Sequence, residues 1–214
     1  MNYDEIIKEG VYDPHIFKAI FTAGAPGSGK STISGKLLAG TGLKVLDIDK
    51  WWEYFNLLKQ DKSKTYDDYW SYIQAQRKNY LMGRLGLIID GTAKDIARIE
   101  EIRMLLENLG YDTAMIFVNT SLETSIQRVE ARAKETGRVV PRDRVVDTWK
   151  ATQANLGHLQ QIFSGNFFIV DNNTEPKDLR KIEKWIRHFL NTKPTSEEAR
   201  RWVHDELQKR KSKG

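Results

Sequence analysis

A chain of 214 residues with 40% hydrophobic and 29% charged side chains has the length and balance of one globular domain with a sizeable core. The absence of cysteine excludes disulfides, thiolate metal sites and cysteine nucleophiles, and no apolar run approaches the roughly 18 residues of a membrane span. The formal net charge is +5, but residues 128–144 and 193–214 each carry an excess of three basic groups, so this is not a uniformly basic nucleic-acid coat.

The opening MNYDEIIKEG is acidic and mixed, unlike a signal peptide, so a cytoplasmic protein with no membrane partner is expected. Ile16–Thr22 has the length and apolar content of a strand. It runs into the stretch GAPGSGKS, Gly24 to Ser31, and then into a helical pattern carried by Ile33, Leu37 and Leu38. Lys44–Ile48 is a second strand candidate, inside the acidic stretch VLDID. An aromatic-rich stretch follows, with Trp51, Trp52, Tyr54, Phe55, Tyr66, Tyr69, Trp70, Tyr72 and Tyr80. Tyr66 to Arg84 is compatible with a helix that offers Arg77, Lys78 and Arg84 to acceptor phosphates. Leu87–Asp90 is the third strand candidate, within LIIDGT.

Ile96, Ile99, Ile102, Leu105, Leu106 and Leu109 form one helix face, which Gly110 terminates. Ala114–Asn119 is the fourth strand. Thr120 and Glu123 have capping-box spacing before a helix with Leu122, Ile126, Val129 and Ala133 on its apolar face. Gly137 breaks that helix and Pro141 starts another element. Val145, Trp149, Leu156, Leu159 and Phe163 fit one later helix. Phe167–Val170 is the fifth strand, with Asn172 and Asn173 as turn residues. Leu179, Ile182, Trp185, Ile186 and Phe189 give a further helix. Ala199, Trp202, Val203 and Leu207 give the last, ending in a basic string expected to fray. This strand–helix alternation predicts an α/β fold with a parallel sheet covered on both faces.

Gly24, Ala25, Pro26, Gly27, Ser28, Gly29, Lys30 and Ser31 satisfy G-x-x-x-x-G-K-[ST] between a strand and a helix that opens near Thr32. Glycines let backbone N–H groups converge on an anion, and the helix N-terminus adds its positive end. Lys30, expected on the solvent side of the loop, would reach the β- and γ-phosphates, and Ser31 would ligate Mg²⁺. ATP and Mg²⁺ are therefore the expected cofactors. Asp47, Asp49 and Asp90 stand at strand ends, where ligands of a parallel sheet collect. One such acid would organise the metal and another would take a proton from an attacking hydroxyl.

GAPGSGKS, then LDID, then IIDGT resembles the P-loop kinase group that includes phage polynucleotide kinases and zeta toxins. The resemblance implies a three-layer sandwich around a five-stranded parallel sheet, with Asp49 as general base and Asp90 near Mg²⁺; Asp47 is the alternative for either role. It also implies an arginine-bearing lid, here QRVEARAKETGRVVPRDR, Gln127 to Arg144. Arg128 and Arg132 share one helix face; Arg132 matches the family's lid arginine best and is the implied catalytic arginine, while Arg128 and Arg138, which follows the break, are implied to contact the nucleotide. Asp49 is followed by Lys50, Trp51 and Trp52, where phage polynucleotide kinase carries an acceptor-clamping arginine. The expected organisation is a kinase domain over residues 1–192, with a lid at about 128–144 and an acceptor segment at about 50–84, then a helix and basic tail over 193–214.

The expected activity is transfer of the γ-phosphate of ATP to a hydroxyl. Aromatics past Asp49 and the basic lid and tail favour nucleic acid: a terminal 5′-hydroxyl or a hydroxymethylated pyrimidine in phage DNA. In that reading the protein is phage-encoded and works in the host cytoplasm. The near-neutral body favours a small acceptor instead, such as a nucleoside, a nucleotide or a zeta-type UDP-sugar. A nucleotide-dependent switch or ATPase without an acceptor is the third reading.

Overall fold

The computed structural model describes residues 10–46, 66–173 and 179–212, with the side chains of 66–73 outside the description. Five strands form one sheet: β1 (Lys18–Ala23), β2 (Lys44–Leu46), β3 (Leu87–Asp90), β4 (Asp112–Asn119) and β5 (Phe167–Asp171). Their order is β2-β3-β1-β4-β5, and every pairing is parallel. The helices are α1 (Lys30–Leu38), α2 (Tyr66–Met82), α3 (Ile96–Asn108), α4 (Leu122–Thr136), α5 (Arg142–Ala154), α6 (Leu156–Ile162), α7 (Arg180–Asn191) and α8 (Glu197–Lys211).

Two apolar cores flank the sheet, which makes the fold the expected three-layer α/β sandwich. On one face Phe21, Leu87, Met115 and Phe117 pack with Leu106 of α3 and Leu159 of α6. On the other, Ile20, Ile88, Ile116 and Val118 pack with Ile33 and Leu37 of α1 and Ile186 and Phe189 of α7. Alternate residues of β1 and β4 thus go to opposite cores, as the strand period of two requires.

Several local expectations shift. β4 starts at Asp112, because the Asp112 N–H donates to the Phe17 carbonyl at 2.9 Å, an extension no apolar pattern marks. Ser121, rather than Thr120, caps α4, accepting the Thr124 N–H at 3.1 Å. The single helix expected over Val145 to Phe163 is two, α5 and α6, divided at Asn155. The Asn155 amide donates to the carbonyls of Ala93 and Lys94 at 2.9 Å each and holds the break against the β3–α3 loop. The basic string is helical as far as Lys211.

Lys18, within the apolar run IFKAIF, is 1% exposed. Its ammonium donates to Asp112 at 2.6 Å and to the Thr192 hydroxyl at 2.9 Å, and lies 5.0 Å from the Phe189 ring centre. α8 packs by Ala199 and Trp202, the Trp202 ring meeting Phe17 edge-on at 5.4 Å. The Arg84 guanidinium lies 6.0 Å from that same indole. Phe17, Arg84 and Gly110 each precede a strand, so α8 lies along the amino edge of the sheet. Arg84 is thereby committed to the wrong edge for binding acceptor phosphates. Among the described residues no helix is long and apolar enough to cross a membrane.

Candidate active site

At the carboxyl edge, β1 passes into the loop Gly24–Gly29 and then into α1. The loop turns tightly: the Ser28 N–H donates to the Ala25 carbonyl at 3.0 Å, and those of Thr32 and Ile33 to the Gly29 carbonyl at 3.1 and 3.0 Å. Gly29 precedes α1 with φ 81°, and no side chain caps the helix. The first N–H groups of α1 therefore keep their partial positive charge for an anion. Gly27 has φ 79°, and a Cβ there would strike the Ser125 carbonyl of α4. Glycine lets the loop and α4 touch at that point. Ala25 is buried and Pro26 half-buried.

Lys30 is not on the solvent side. Its ammonium is ion-paired with Asp90, with side-chain exposures of 12% and 21%. The same Asp90 oxygen accepts the Thr22 hydroxyl. The register explains the meeting: Thr22, at the end of β1, stands opposite Asp90, at the end of β3. Ser31 and Asp90 line one cavity of about 250 Å³ whose floor includes Leu38, Leu43 and Ile88. Asp47 and Asp49 lie outside the described residues, as does most of the aromatic stretch. β2 is described to Leu46, which stands opposite Ile89, the neighbour of Asp90.

The start of α4 sits against the loop. Ser125, Arg128 and Arg132 lie on one helix face by their spacing of three and four. The Ser125 carbonyl abuts Gly27, and the Arg128 guanidinium reaches the Ser28 carbonyl at 3.4 Å. Arg132 is half-buried, and its Nε is buried with no hydrogen-bond partner. Arg138 is exposed beyond the left-handed Gly137, which has φ 72°. The structure thus brings Lys30, Asp90 and Arg128 to the loop, while Arg138 follows the end of α4.

Three contributors were not marked in the sequence as site residues. Thr22 reads as an ordinary strand residue, yet it holds Asp90. The Asn172 amide donates to the Ser28 carbonyl at 2.7 Å. Asn173 accepts the Ser121 N–H at 2.6 Å and the Thr120 hydroxyl at 3.2 Å. On the far side of that turn, Trp149 of α5 donates to the Thr120 carbonyl, and Gln153 to the Asn119 side chain, both at 2.8 Å. A chain of hydrogen bonds therefore runs from α5, through the β4–α4 turn and the β5 end, to the loop.

The sheet order, the glycine loop after β1 and the acid at the end of β3 define a P-loop kinase fold. The zeta toxin family model matches residues 8–181, and the chain belongs to that family. A candidate kinase from Chloroflexus aurantiacus superposes with TM-score 0.58 at 18% identity, over 80% of this chain and 97% of its own. The Streptococcus pneumoniae PezAT toxin–antitoxin system gives TM-score 0.54 at 18% identity, over 95% of this chain and 88% of that one. The Pnkp1/Rnl/Hen1 RNA repair complex gives TM-score 0.52 at 20% identity, over 76% of this chain and 49% of that one. At these identities the likeness is one of fold. No curated protein matches the sequence.

Proposed function

We propose that the protein is an ATP-dependent phosphotransferase that moves the γ-phosphate to a hydroxyl on a compact, nucleotide-sized acceptor. The observation that carries this reading is Lys30 at the open N-terminus of α1, paired with an acid at the end of the neighbouring strand. The loop amides and α1 hold the phosphate chain, and Lys30 moves from Asp90 to the β- and γ-oxygens as these arrive. Arg132 approaches from α4 to stabilise charge on the transferring group, and Arg128, on the loop backbone, helps to hold the nucleotide. Asp49 accepts the acceptor's proton, with Asp47 as the alternative base.

Ser31 and Asp90 suit Mg²⁺. A hydroxyl and a carboxylate lining one cavity beside the phosphate loop match an ion that takes one or two protein oxygens and fills its shell with phosphate and water. When bound, the ion would neutralise charge on the β- and γ-phosphate oxygens. Asp47 is a further candidate ligand.

Two features favour a compact acceptor over a polymer. The basic helix α8 lies along the amino edge, about one strand length from the loop, so its charges are not part of the cleft in which the phosphate chain would sit. Membership of the zeta toxin family adds the UDP-sugar class expected from the sequence. A nucleic-acid acceptor is the second reading, supported by the arginines of the lid and the fold shared with the RNA repair complex. Transfer of label from γ-labelled ATP to UDP-sugars, nucleosides, DNA, RNA and hydroxymethylated DNA tests both. Label in DNA or RNA alone would overturn the compact acceptor, and label released only as inorganic phosphate would leave an ATPase.

A further inference from the structure

The geometry points to Asn172 as a positioning residue that locks one peptide of the phosphate cradle, a role that rests on triphosphate binding at this loop. The Asn172 amide donates to the Ser28 carbonyl at 2.7 Å, and Arg128 approaches the same oxygen at 3.4 Å. A trans peptide points its C=O and N–H in opposite directions. Holding the Ser28 carbonyl outward therefore turns the Gly29 N–H the other way, toward the concave side of the loop. Ser28 lies between two glycines, Gly27 and Gly29, both at positive φ, so little in the chain itself resists rotation of that peptide. The lock is a tight fit, because Asn172 Nδ2 stands where a Cβ of Gly29 would be.

Asn172 is itself held in place. Its backbone N–H donates to the Asn119 carbonyl at 2.8 Å, and the neighbouring Asn173 accepts the Ser121 N–H at 2.6 Å. The end of β5 is thus anchored on the β4–α4 turn before it reaches the loop. Asn172 touches a backbone atom of the loop through its side chain and needs no part of the ligand to do so. Its effect should fall on any ligand that presents a phosphate chain, whatever that chain carries.

Inorganic tripolyphosphate carries the phosphate chain without base or ribose, and so separates cradle geometry from base recognition. Binding of ATP and of tripolyphosphate is measured by calorimetry for the full chain and for Asn172→Ala and Asn172→Leu. Asn172→Leu keeps the volume without the donor and serves if Asn172→Ala fails to fold. Loss of one hydrogen bond predicts about 3- to 10-fold weaker binding of both ligands. KM for ATP should rise by a similar factor, with kcat within about twofold, the signature of lost uniform binding. Weaker ATP binding with unchanged tripolyphosphate binding would assign Asn172 to the base and overturn the lock. Unchanged binding of both ligands would overturn it as well. A wild-type protein that binds neither ligand would remove the triphosphate reading itself, and the lock with it.

Discussion

Lys30 and Asp90 form an ion pair between the first turn of α1 and the end of β3, and both Lys30 and Thr22 meet the same Asp90 oxygen. The acid that the sequence marks for the metal is therefore also the group that holds the lysine proposed to bind phosphate. Lys30→Ala removes the charge that meets the γ-phosphate, and kcat should fall by at least about 10²–10³-fold. The fold should persist, since Asp90 keeps Thr22 as a partner. Asp90→Asn should raise the Mg²⁺ concentration needed for half-maximal activity while ATP binding without metal holds or improves. A Lys30→Ala enzyme at near wild-type rate would remove the kinase reading.

Lys18 is a harsher site. Both it and Asp112 are largely removed from water, with side-chain exposures of 1% and 11%. Removing one partner strands the other, so Lys18→Met should destabilise the protein by about 3–5 kcal/mol. Urea unfolding measures this, and kcat should hold wherever the variant is folded, since Lys18 lies at the amino edge. A loss below about 1 kcal/mol would show that Asp112 is satisfied by its Thr195 contact alone.

Tyr111 gives a pH test. Burial pushes its phenol well above the ordinary range, only partly offset by the Arg84 charge, and its hydroxyl donates to the Leu85 carbonyl at 3.0 Å. The folded state keeps the proton at a pH where the unfolded chain has lost it. This contribution is fully present below the ordinary tyrosine pKa of about 10 and shrinks as pH rises beyond it. Tyr111→Phe should lose about 1–3 kcal/mol near neutrality, because the Leu85 carbonyl is left unpaired. It should also flatten the alkaline fall in stability. An equal alkaline fall in both proteins would place the titrating group elsewhere.

Much of the sheet and part of the candidate site were legible in the sequence, for reasons visible in particular residues. The glycines, Lys30 and Ser31 stand out because a phosphate loop needs unusual residues in sequence. Asp90 stands out because it ends an apolar run. Thr22 and Asn172 act through contacts 68 and 144 residues away in sequence, and a single chain carries no local mark of such a contact. The Lys30–Asp90 pair was missed for the same reason. Lys18 was not singled out in the sequence, because its partners Asp112 and Thr192 come from elements distant in the chain. Asn155 breaks a helix by bonding to the β3–α3 loop, so the apolar period ran through it unbroken.

The lid arginines are separated by what each touches. Arg128 contacts the loop backbone, whereas Arg132 lies one turn further along α4 with its Nε buried and without a partner. A transition-state contact predicts that Arg132→Ala lowers kcat and kcat/KM together, with ATP affinity nearly unchanged. Arg128→Ala should instead raise KM for ATP. If the two phenotypes exchange, Arg128 is the arginine that meets the transferring group.

The basic end of α8 offers a test of the acceptor. Arg210 lies 5.0 Å from the Tyr12 ring, and α8 runs along the amino edge of the sheet. β1 alone, six residues at about 3.3 Å each, separates that edge from the phosphate loop by about 20 Å. Deleting residues 210–214 removes Arg210, Lys211 and Lys213. The deletion should leave kcat, KM for the acceptor and their salt dependence unchanged. Salt dependence near the site should come from the lid instead. A nucleic-acid acceptor predicts that KM rises steeply with salt and that Arg144→Ala lowers the slope by about 0.7–0.9 if that residue meets a phosphate. A compact acceptor predicts a shallow slope that Arg144→Ala does not alter. A truncation that raises KM for DNA and flattens its salt slope would place the polymer across the amino edge and overturn the compact acceptor.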